Sequence, residues 1–497
     1  WRGSRILNEL NELADFAEKL LCKKLPSEHT YVSSRRVLRN GWLEAETVGP
    51  DGMRTVRPVI FSGYGHFDTA VRSIPFFSAI GADMIQFELP MSSVMQGEKP
   101  DGSFQINFDR LKERLAGIDT AWKNNVTISL LLGTHYLPDW AKKAHPEILW
   151  NSGSFLQFDI QHPFARKLVG EFVRQAVRQV RSLPGAEAIH SICISNEPRY
   201  QPSLRSEFTR QRFLGYLKRL YGDDIAKLNS TYGTKSDSFT GAVPHYDPRP
   251  ETQPGLFFDF TNFKLDEFAD WHRWMADIVH EEWPGMIVHS KVLGGFGIGN
   301  ATDYERFGSF SPVNGTDNGI GYNQRTKRFT RGEMVLNLAS SMNPATIVNS
   351  ENHLIPDDVE DPVSYDAVYC CAFQQYLHGV AGSAVWVWED YDLKMFREHH
   401  SFVGNIYRRP MGILAVRDAA ADANRLVEEL KAACAVPAQV ALLYSVPSAM
   451  FNEKYEPACW NVWQAFARAG RKVRFISESQ LQRGETAGIG MIVAAET

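Results

Sequence analysis

The chain of 497 residues is longer than one ordinary domain, and an eight-fold α/β barrel of about 250 residues would leave room for a second unit. Its 53 basic and 58 acidic residues give a formal net charge of −5, with no block of like charge. This balance argues against nucleic acid or an anionic membrane as a partner. The sequence contains no run of about 18 apolar residues, which is the length that a membrane-spanning helix needs.

Cysteine spacing and phosphate-binding motifs give no sign of a cofactor. No CxxC spacing, GxGxxG motif or P-loop occurs, so we expect none. We expect buried free thiols at the six cysteines, Cys22, Cys193, Cys370, Cys371, Cys434 and Cys459. Free thiols fit a reducing compartment, but a chain that begins at Trp1 is also compatible with a removed signal peptide. The localisation therefore stays open between the cytoplasm and the periplasm or the cell exterior.

Residues 1–54 are interpreted as an N-terminal lead-in, with Leu and Ile at helical spacing over 4–24 predicting an amphipathic helix. Beyond it, apolar runs alternate with helical patterns. The predicted strands are 58–63, 83–89, 126–133, 191–196, 287–292, 319–322, 345–349 and 383–388. The predicted helices are 69–80, 108–123, 164–182, 206–221, 263–283, 332–341, 363–378 and 397–406. Strict alternation favours a parallel sheet, and eight units favour a closed (β/α)8 barrel over 55–412.

A second, smaller α/β unit is predicted over 413–497. It comprises helices at 415–435 and 455–469 and strands at 439–444, 472–476 and 489–494. The last strand has no helix after it, and a strand without its helix would leave a surface uncovered. We therefore expect the natural protein to continue past Thr497.

The segment 191–200 (SICISNEPRY) ends a buried strand with a carboxylate, Glu197, followed by a proline that stops the strand. A charge there is costly unless it faces a polar pocket, and the carboxyl ends of barrel strands carry catalytic groups. The alternative is a loop glutamate beside a turn proline. A second strand of the same kind, 346–351 (TIVNSE), ends at Glu351. Two such carboxylates are the minimum for hydrolysing a glycosidic bond, so we predict Glu197 as general acid/base and Glu351 as nucleophile.

Other strand-end residues are predicted to bind substrate. Asn196 is placed to contact the sugar hydroxyl next to the reacting carbon. The remaining candidates are His66, Glu88, His135, Tyr322, His353, Trp388 and Glu389. The alternative is that the histidines are merely solvated and that the tyrosine belongs to the core or the rim. Trp386 and Trp388 could both pack inside the barrel. Otherwise the one nearer the strand tip would be a platform for the apolar face of a sugar ring. His289 and Lys291 raise the hypothesis of a metal or Schiff-base barrel, which the lack of a second ligand nearby disfavours.

These motifs resemble those of the clan A glycoside hydrolases, and most closely the family 42 β-galactosidases. Asn196-Glu197-Pro198 is similar to the clan's acid/base signature on strand four, and Glu351 falls at its strand-seven glutamate. Further segments resemble family 42 motifs in the same order: 80–83, 137–140, 145–149, 213–217, 221–222, 228–229, 258–260 and Trp388. Gln86 and Glu389 stand where the family has arginines.

The resemblance implies a (β/α)8 TIM barrel followed by the start of a flavodoxin- or glutamine-amidotransferase-like trimerisation domain. It also implies a retaining exo-β-glycosidase that acts on β-galactosides by two-glutamate double displacement, with a carbohydrate substrate and a homotrimeric assembly. The alternatives are a β-mannosidase or another β-glycosidase of the clan, and a non-catalytic carbohydrate-binding barrel, which the missing arginine supports. A metal-dependent barrel hydrolase is a third alternative.

Overall fold

The computed structural model describes most of the chain. The described residues are 31–49, 51–65, 68–149, 155–320, 322–323, 328–329, 331–355, 363–388, 406 and 409–496, with the isolated positions 7, 11 and 14. His66, Glu389 and nearly all of the helices predicted over 4–24 and 397–406 lie outside these residues.

The strands in chain order are β1 (Tyr31–Arg39), β2 (Trp42–Val48), β3 (Arg54–Pro58), β4 (Phe61–Gly65), β5 (Met84–Pro90), β6 (Met95–Glu98), β7 (Phe104–Ile106), β8 (Thr127–Gly133), β9 (Ile189–Asn196), β10 (Val288–Leu293), β11 (Asn314–Asp317), β12 (Tyr322–Asn323), β13 (Arg328–Phe329), β14 (Ile347–Asn352), β15 (Val380–Val385), β16 (Val440–Tyr444), β17 (Val473–Ser477) and β18 (Met491–Val493).

The α-helices are α1 (Asp68–Phe77), α2 (Met91–Val94), α3 (Phe108–Lys123), α4 (Asp139–Ala144), α5 (Pro163–Arg181), α6 (Glu207–Tyr221), α7 (Ile225–Tyr232), α8 (Phe239–Ala242), α9 (Pro254–Glu282), α10 (Tyr304–Gly308), α11 (Gly332–Met342), α12 (Tyr365–Leu377), α13 (Pro410–Arg425), α14 (Val427–Ala435), α15 (Val446–Phe451), α16 (Tyr455–Arg468) and α17 (Glu478–Gln482). Helices α7 and α8 are not among the predicted helices.

Eight parallel strands close into a barrel, in the order β4, β5, β8, β9, β10, β11, β14 and β15 around the ring. Strands β8 and β9 are buried along their whole length, because the barrel interior covers one face and helices cover the other. Strand β15 closes the ring by pairing with β4, with Gly382 opposite Phe61. The predicted (β/α)8 barrel is confirmed.

The predicted sixth strand was wrong. The barrel strand is β11, and Tyr322 lies instead in β12, which pairs antiparallel with β13. The sequence of β11, NGTD, lacks the apolar run that marks a buried strand. Polar packing holds it instead, since Asn314 donates to the carbonyl oxygens of Asn343 and Ala345. Gly315 is required because a Cβ there would lie 2.1 Å from the carbonyl oxygen of Ser290.

An antiparallel sheet of β1, β2 and β3 precedes the barrel and was not predicted. Asn40 and Gly41 join β1 to β2 with φ angles of 49° and 72°, which fit an Asn-Gly hairpin turn. The carbonyl oxygen of Gly41 accepts a hydrogen bond from the backbone nitrogen of Thr346, just before β14. This sheet therefore lies at the amino end of the barrel strands, away from the end where catalytic groups are expected.

The C-terminal residues form a second α/β unit, a parallel sheet in the order β17, β16, β18. It packs against the barrel through Phe296, whose ring lies 5.4 Å from Tyr444 and 6.1 Å from Phe475. The backbone nitrogen of Phe475 also donates to Ser341 Oγ of α11. The predicted second unit is present, and the domain boundaries at 54 and 412 stay predictions. None of the described helices combines the length and apolar character that crossing a membrane requires.

Candidate active site

The two predicted catalytic glutamates lie at the same end of the barrel. Glu197 follows β9 directly, and Glu351 lies near the carboxyl end of β14. Strand register places Asn196 beside Lys291 of β10, and Asp317 of β11 beside Glu351. Because all barrel strands run parallel, these residues share the mouth where catalytic groups occur in barrel enzymes.

Glu197 takes a backbone φ of 39°, in the left-handed region that costs free energy for a residue with a side chain. The carboxyl group is only partly exposed. Burial raises the pKa of Glu197, the charge of Glu351 raises it further, and the cations of Lys291 and Arg199 oppose both. A raised pKa favours the protonated form of a carboxyl group, which is the form that a general acid needs.

The segment around Glu197 is anchored to the long helix α9. Before it, Ser195 Oγ lies 2.9 Å from Nε2 of His272, whose Nδ1 lies 2.7 Å from a backbone carbonyl oxygen. After it, the hydroxyl of Tyr200 donates to Glu267 over 2.7 Å, and Arg212 binds the same carboxylate. These contacts on both sides hold the strained backbone of Glu197 in place.

Glu351 lies in a buried cluster of charged groups. The ammonium of Lys291 donates to Glu351 Oε2, and both side chains are almost completely buried. Nε2 of His353 lies 3.4 Å from Glu351 Oε1 and 3.6 Å from Asp317 Oδ1. Burial, and then the charge of Glu351, raise the pKa of Asp317 well above its usual range. Burial alone would lower the pKa of Lys291, but the carboxylates of Glu351 and Asp317 raise it overall.

A third carboxyl group, Glu88, lies at the same mouth on β5. Its Oε1 is 3.4 Å from Nε2 of His135, which follows β8. Burial raises the pKa of Glu88 to about 7; Lys291 acts against this shift and Glu351 adds to it. Glu88 and His135 therefore both lie at this mouth, and Glu88 can donate or accept a proton near neutral pH. Their predicted roles in substrate binding stay predictions.

A cleft of about 1140 Å³ opens beside Glu197. One wall is aromatic: the ring of His135 lies 4.1 Å from that of Tyr136 and 5.3 Å from that of Phe155. Tyr136 and Phe155 remain 38% and 43% exposed, so their rings are open to the cleft. Exposed aromatic rings beside a carboxyl group suit the apolar face of a sugar ring.

The prediction that Trp388 is a platform for the sugar ring was wrong. Its side chain is fully buried, packs against Tyr64 and Phe77, and donates from Nε1 to Ser73 Oγ over 3.0 Å. Strand β15 ends at Val385, before either tryptophan, so strand alternation does not extend to them. It is Trp386 that lies near the charged cluster around Glu351, with its ring 5.9 Å from that of His353.

Asn196 and His353 lie at the mouth, and their predicted roles in substrate binding stay predictions. Asn196 is buried, and within the described part of the chain its Oδ1 has no hydrogen-bond partner. A buried polar oxygen without a partner is costly, so a ligand hydroxyl is a natural partner for it. The side chain of Tyr322 and all of His66 and Glu389 lie outside the described residues. Their predicted roles stay predictions.

Comparison with known proteins identifies the family. The sequence pattern of a family described as β-galactosidase, glycoside hydrolase family 42, matches residues 95–343, half of the chain. The chain belongs to glycoside hydrolase family 42. The matched segment contains Glu197 and Lys291 and ends before Glu351. No curated protein sequence matches the chain at a significant level.

Solved structures share the fold of this family 42 hydrolase at low sequence identity. An exo-carrageenase of family 42 from Bacteroides ovatus matches with a TM-score of 0.77 and 16% identity, over 98% of this chain and 67% of that one. A β-galactosidase from the psychrophilic Marinomonas ef1 matches with a TM-score of 0.69 and 15% identity, over 88% and 75%. A β-galactosidase from the haloarchaeon Halorubrum lacusprofundi matches with a TM-score of 0.67 and 16% identity, over 88% and 69%.

Several residues at the mouth of this glycoside hydrolase were not predicted as site residues. They are Asp317 beside the candidate nucleophile, Arg199, Tyr136 and Phe155 in the cleft, and Trp386. Lys291 was noted only as a metal or Schiff-base candidate. The signal that could have found Lys291 is its position at the carboxyl end of a barrel strand, two residues after the inward-facing His289.

A metal ion is not assigned to this site. Asp317, Glu351 and His353 each place a donor atom within 4.8 Å of the others. The ammonium of Lys291, however, already contacts Glu351 Oε2. A second cation beside it would meet electrostatic repulsion, so the positive charge of this cluster is assigned to Lys291 itself.

Replacing Glu88 by Gln should change how stability depends on pH. The pKa of Glu88 is about 7 in the fold against 4.5 for the free group, so the native state holds more protons in this window. The free energy of unfolding should then fall as pH rises from about 4.5 to about 7, by up to about 3 kcal/mol. We expect Glu88→Gln to remove this fall, as measured by urea unfolding at pH 5 and pH 8. An unchanged difference between the two pH values would contradict the assignment.

Proposed function

We propose that this family 42 hydrolase removes β-linked galactosyl residues from chain ends by double displacement with net retention. The observation that carries the proposal is the pair of strand-end glutamates in opposite environments. Burial and a neighbouring carboxylate favour the protonated form of Glu197, whereas Glu351 is paired with the buried ammonium of Lys291. A carboxyl group that favours its protonated form and a second one that is paired with a cation fit an acid and a nucleophile.

In the first step, Glu351 attacks the anomeric carbon while Glu197 gives its proton to the departing glycosidic oxygen. The carbon–oxygen bond to the leaving group breaks, and a covalent glycosyl–enzyme ester forms. In the second step, Glu197, now ionised, takes a proton from water, and the water oxygen displaces Glu351 from the same carbon. The two inversions return the sugar with its original configuration, and both carboxyl groups return to their starting states.

The substrate class is inferred from the cleft and from the relatives. The aromatic wall of His135, Tyr136 and Phe155 suits the apolar face of a pyranose, and Asn196 Oδ1 is available to a sugar hydroxyl. The two relatives named as β-galactosidases favour galactose as the sugar. The homotrimer stays a prediction that sedimentation velocity can test.

A second candidate function is exo-hydrolysis of a sulfated galactan. Arg199 and Lys142 line the cleft beside Glu197. Lys142 is already paired with Asp139 at 3.0 Å, so Arg199 is the better candidate for an anionic substituent. The relative whose match covers 98% of the chain is named as an exo-carrageenase, an enzyme of a sulfated substrate. These two observations favour carrageenan oligosaccharides as the second substrate class to assay.

A panel of nitrophenyl β-glycosides and carrageenan oligosaccharides tests the proposal. We expect the β-galactoside to be the best nitrophenyl substrate, the β-anomer to be the first product in proton NMR spectra, and EDTA to have no effect. An α-anomer as first product would contradict retention, and cleavage confined to the sulfated oligosaccharides would favour the second candidate. Inactivity on every substrate would support the carbohydrate-binding alternative, and preference for the β-mannoside would favour the β-mannosidase.

A further inference from the structure

Lys291 is a fully buried cation, and the reaction described above uses it only as the partner of Glu351. His289 and Lys291 are two residues apart on β10, so both face the barrel interior. Nε2 of His289 lies 3.2 Å from Ser129 Oγ and 3.2 Å from Ser191 Oγ, inside the barrel. Lys291 is one step nearer the carboxyl end of the strand, which brings its ammonium to the mouth.

A buried ammonium is costly, so it persists only with matched partners. The groups that face Lys291 come from the strands around it: Cys193 on β9, Asp317 on β11, Glu351 on β14 and Glu88 on β5. Burial raises the pKa of the Cys193 thiol to about 12, so the thiol stays neutral. The short contact is the one to Glu351 Oε2. Among these groups, Glu351 is therefore the direct partner of the ammonium.

Apart from Lys291, the described neighbours of Glu351 give its charge no permanent support. Nε2 of His353 lies 3.4 Å from Glu351 Oε1, but an imidazole is positively charged only when it is protonated. Asp317 is the register neighbour of Glu351 on β11, and Glu197 is close enough to Glu351 for the two carboxyl groups to repel each other. His289 adds no positive charge near neutral pH, because burial lowers its pKa to about 3. Gln86, on β5, is buried and neutral, and its Nε2 lies 3.4 Å from Ser129 Oγ. A fixed cation is needed to keep a carboxylate ionised among other carboxyl groups.

We propose that Lys291 is a positioning residue for the nucleophile, holding the Glu351 carboxylate ionised and fixing one of its oxygens so that the side chain is oriented for attack. The same ammonium would stabilise the carboxylate that departs when water releases the sugar, so both chemical steps depend on it. The proposal rests on the proposed role of Glu351 as the nucleophile.

Three substitutions separate charge from packing: Lys291→Met, Lys291→Gln and Lys291→Arg. Loss of the cation should lower kcat by about 10²- to 10³-fold in the Met and Gln variants. In both, the acidic limb of the kcat/KM profile should move up by about one pH unit or more, because Glu351 protonates more readily. Lys291→Arg keeps the charge and should keep the wild-type acidic limb. A purely structural role would reduce the folded fraction without moving this limb.

The matched control is Lys264→Met, which removes a lysine on α9 that lies over the ring of Phe260 at 5.3 Å. It should leave the pH profile unchanged. A wild-type acidic limb in folded Met or Gln variants, with less than about tenfold loss of kcat, would overturn the proposal. If the Met variant does not fold, the Gln and Arg variants decide in the same way. Failure of all three to fold would overturn it too, since Lys291 would then serve stability.

The nucleophile assignment is tested separately on the wild-type enzyme. A slow 2-deoxy-2-fluoro β-glycoside should attach to Glu351 whatever the role of Lys291. If Glu351 is labelled but the acidic limb of the kcat/KM profile does not move in the Lys291 variants, the lysine proposal alone is refuted. Labelling of a different residue would refute the proposed mechanism itself.

Discussion

Glu351→Ala is expected to lower kcat by about 10⁴-fold or more, because the variant lacks the carboxylate on which the covalent intermediate forms. The mouth remains shaped to hold the sugar in the variant, since Glu197, Glu88 and the aromatic wall are untouched. Glu351→Gly should regain turnover of an activated aryl glycoside when azide is added. Azide would attack from the vacated side and give the glycosyl azide of inverted configuration. The product is read by NMR, and turnover by released nitrophenol.

The matched control for this prediction is Glu44→Ala at the opposite end of the barrel. Glu44 is a largely buried glutamate with ion-pair contacts of 3.8 Å to Arg39 and 3.9 Å to Lys431. Its loss should affect stability and leave kcat near the wild-type value. Near-wild-type turnover by folded Glu351→Ala would show that the nucleophile is elsewhere, with Glu88 as the first residue to examine.

Glu197→Ala is expected to lower kcat on an alkyl or disaccharide substrate by about 10³-fold, within the range typical for loss of a general acid. A dinitrophenyl glycoside needs no proton on its leaving group, so its first step should change little. Release of the sugar should still be slow, which lowers KM together with kcat. The alkaline limb of the pH profile, where Glu197 loses its proton, should disappear. Azide should speed release and give a product of retained configuration.

The control for this second prediction is Glu187→Ala, at an exposed position just before the amino end of the same strand, β9. This variant should have wild-type kcat and KM values on both substrates. An equal loss of kcat/KM, which reports the first chemical step, on the disaccharide and on the dinitrophenyl glycoside would contradict acid catalysis by Glu197. Such a result would instead indicate a role in substrate binding or in folding.

The barrel could be predicted from the sequence because most of its strands are continuous apolar runs. The prediction for 126–133 differs from β8 by one residue, and that for 287–292 differs from β10 by one residue at each end. Glu197 and Glu351 could be found because a carboxylate is unexpected at the end of such a run. The sixth strand could not be predicted, because its four residues show no apolar pattern. Hydrogen bonds from the side-chain amide of Asn314 and a close backbone contact at Gly315 hold it instead.

The remaining site residues depend on contacts between distant segments. Lys291 and Glu351 are 60 residues apart, and no local spacing shows that one neutralises the other. Asp317 could not be recognised as a site residue, because β11, which it ends, was not predicted as a barrel strand. Trp388 was chosen over Trp386 by extending strand alternation beyond Val385, where the strand ends. In each case the residue type was known, but the sequence did not show which residues lie next to it in the folded chain.

The most direct measurement is to identify the residue that becomes covalently attached to the sugar. The enzyme is inactivated with a dinitrophenyl 2-deoxy-2-fluoro β-glycoside of its best substrate, digested, and analysed by tandem mass spectrometry. We predict a single fluoroglycosyl label on Glu351, with inactivation slowed by a competing ligand. A label on Glu88 or Glu197, or turnover that the reagent never interrupts, would contradict double displacement through the carboxylate of β14.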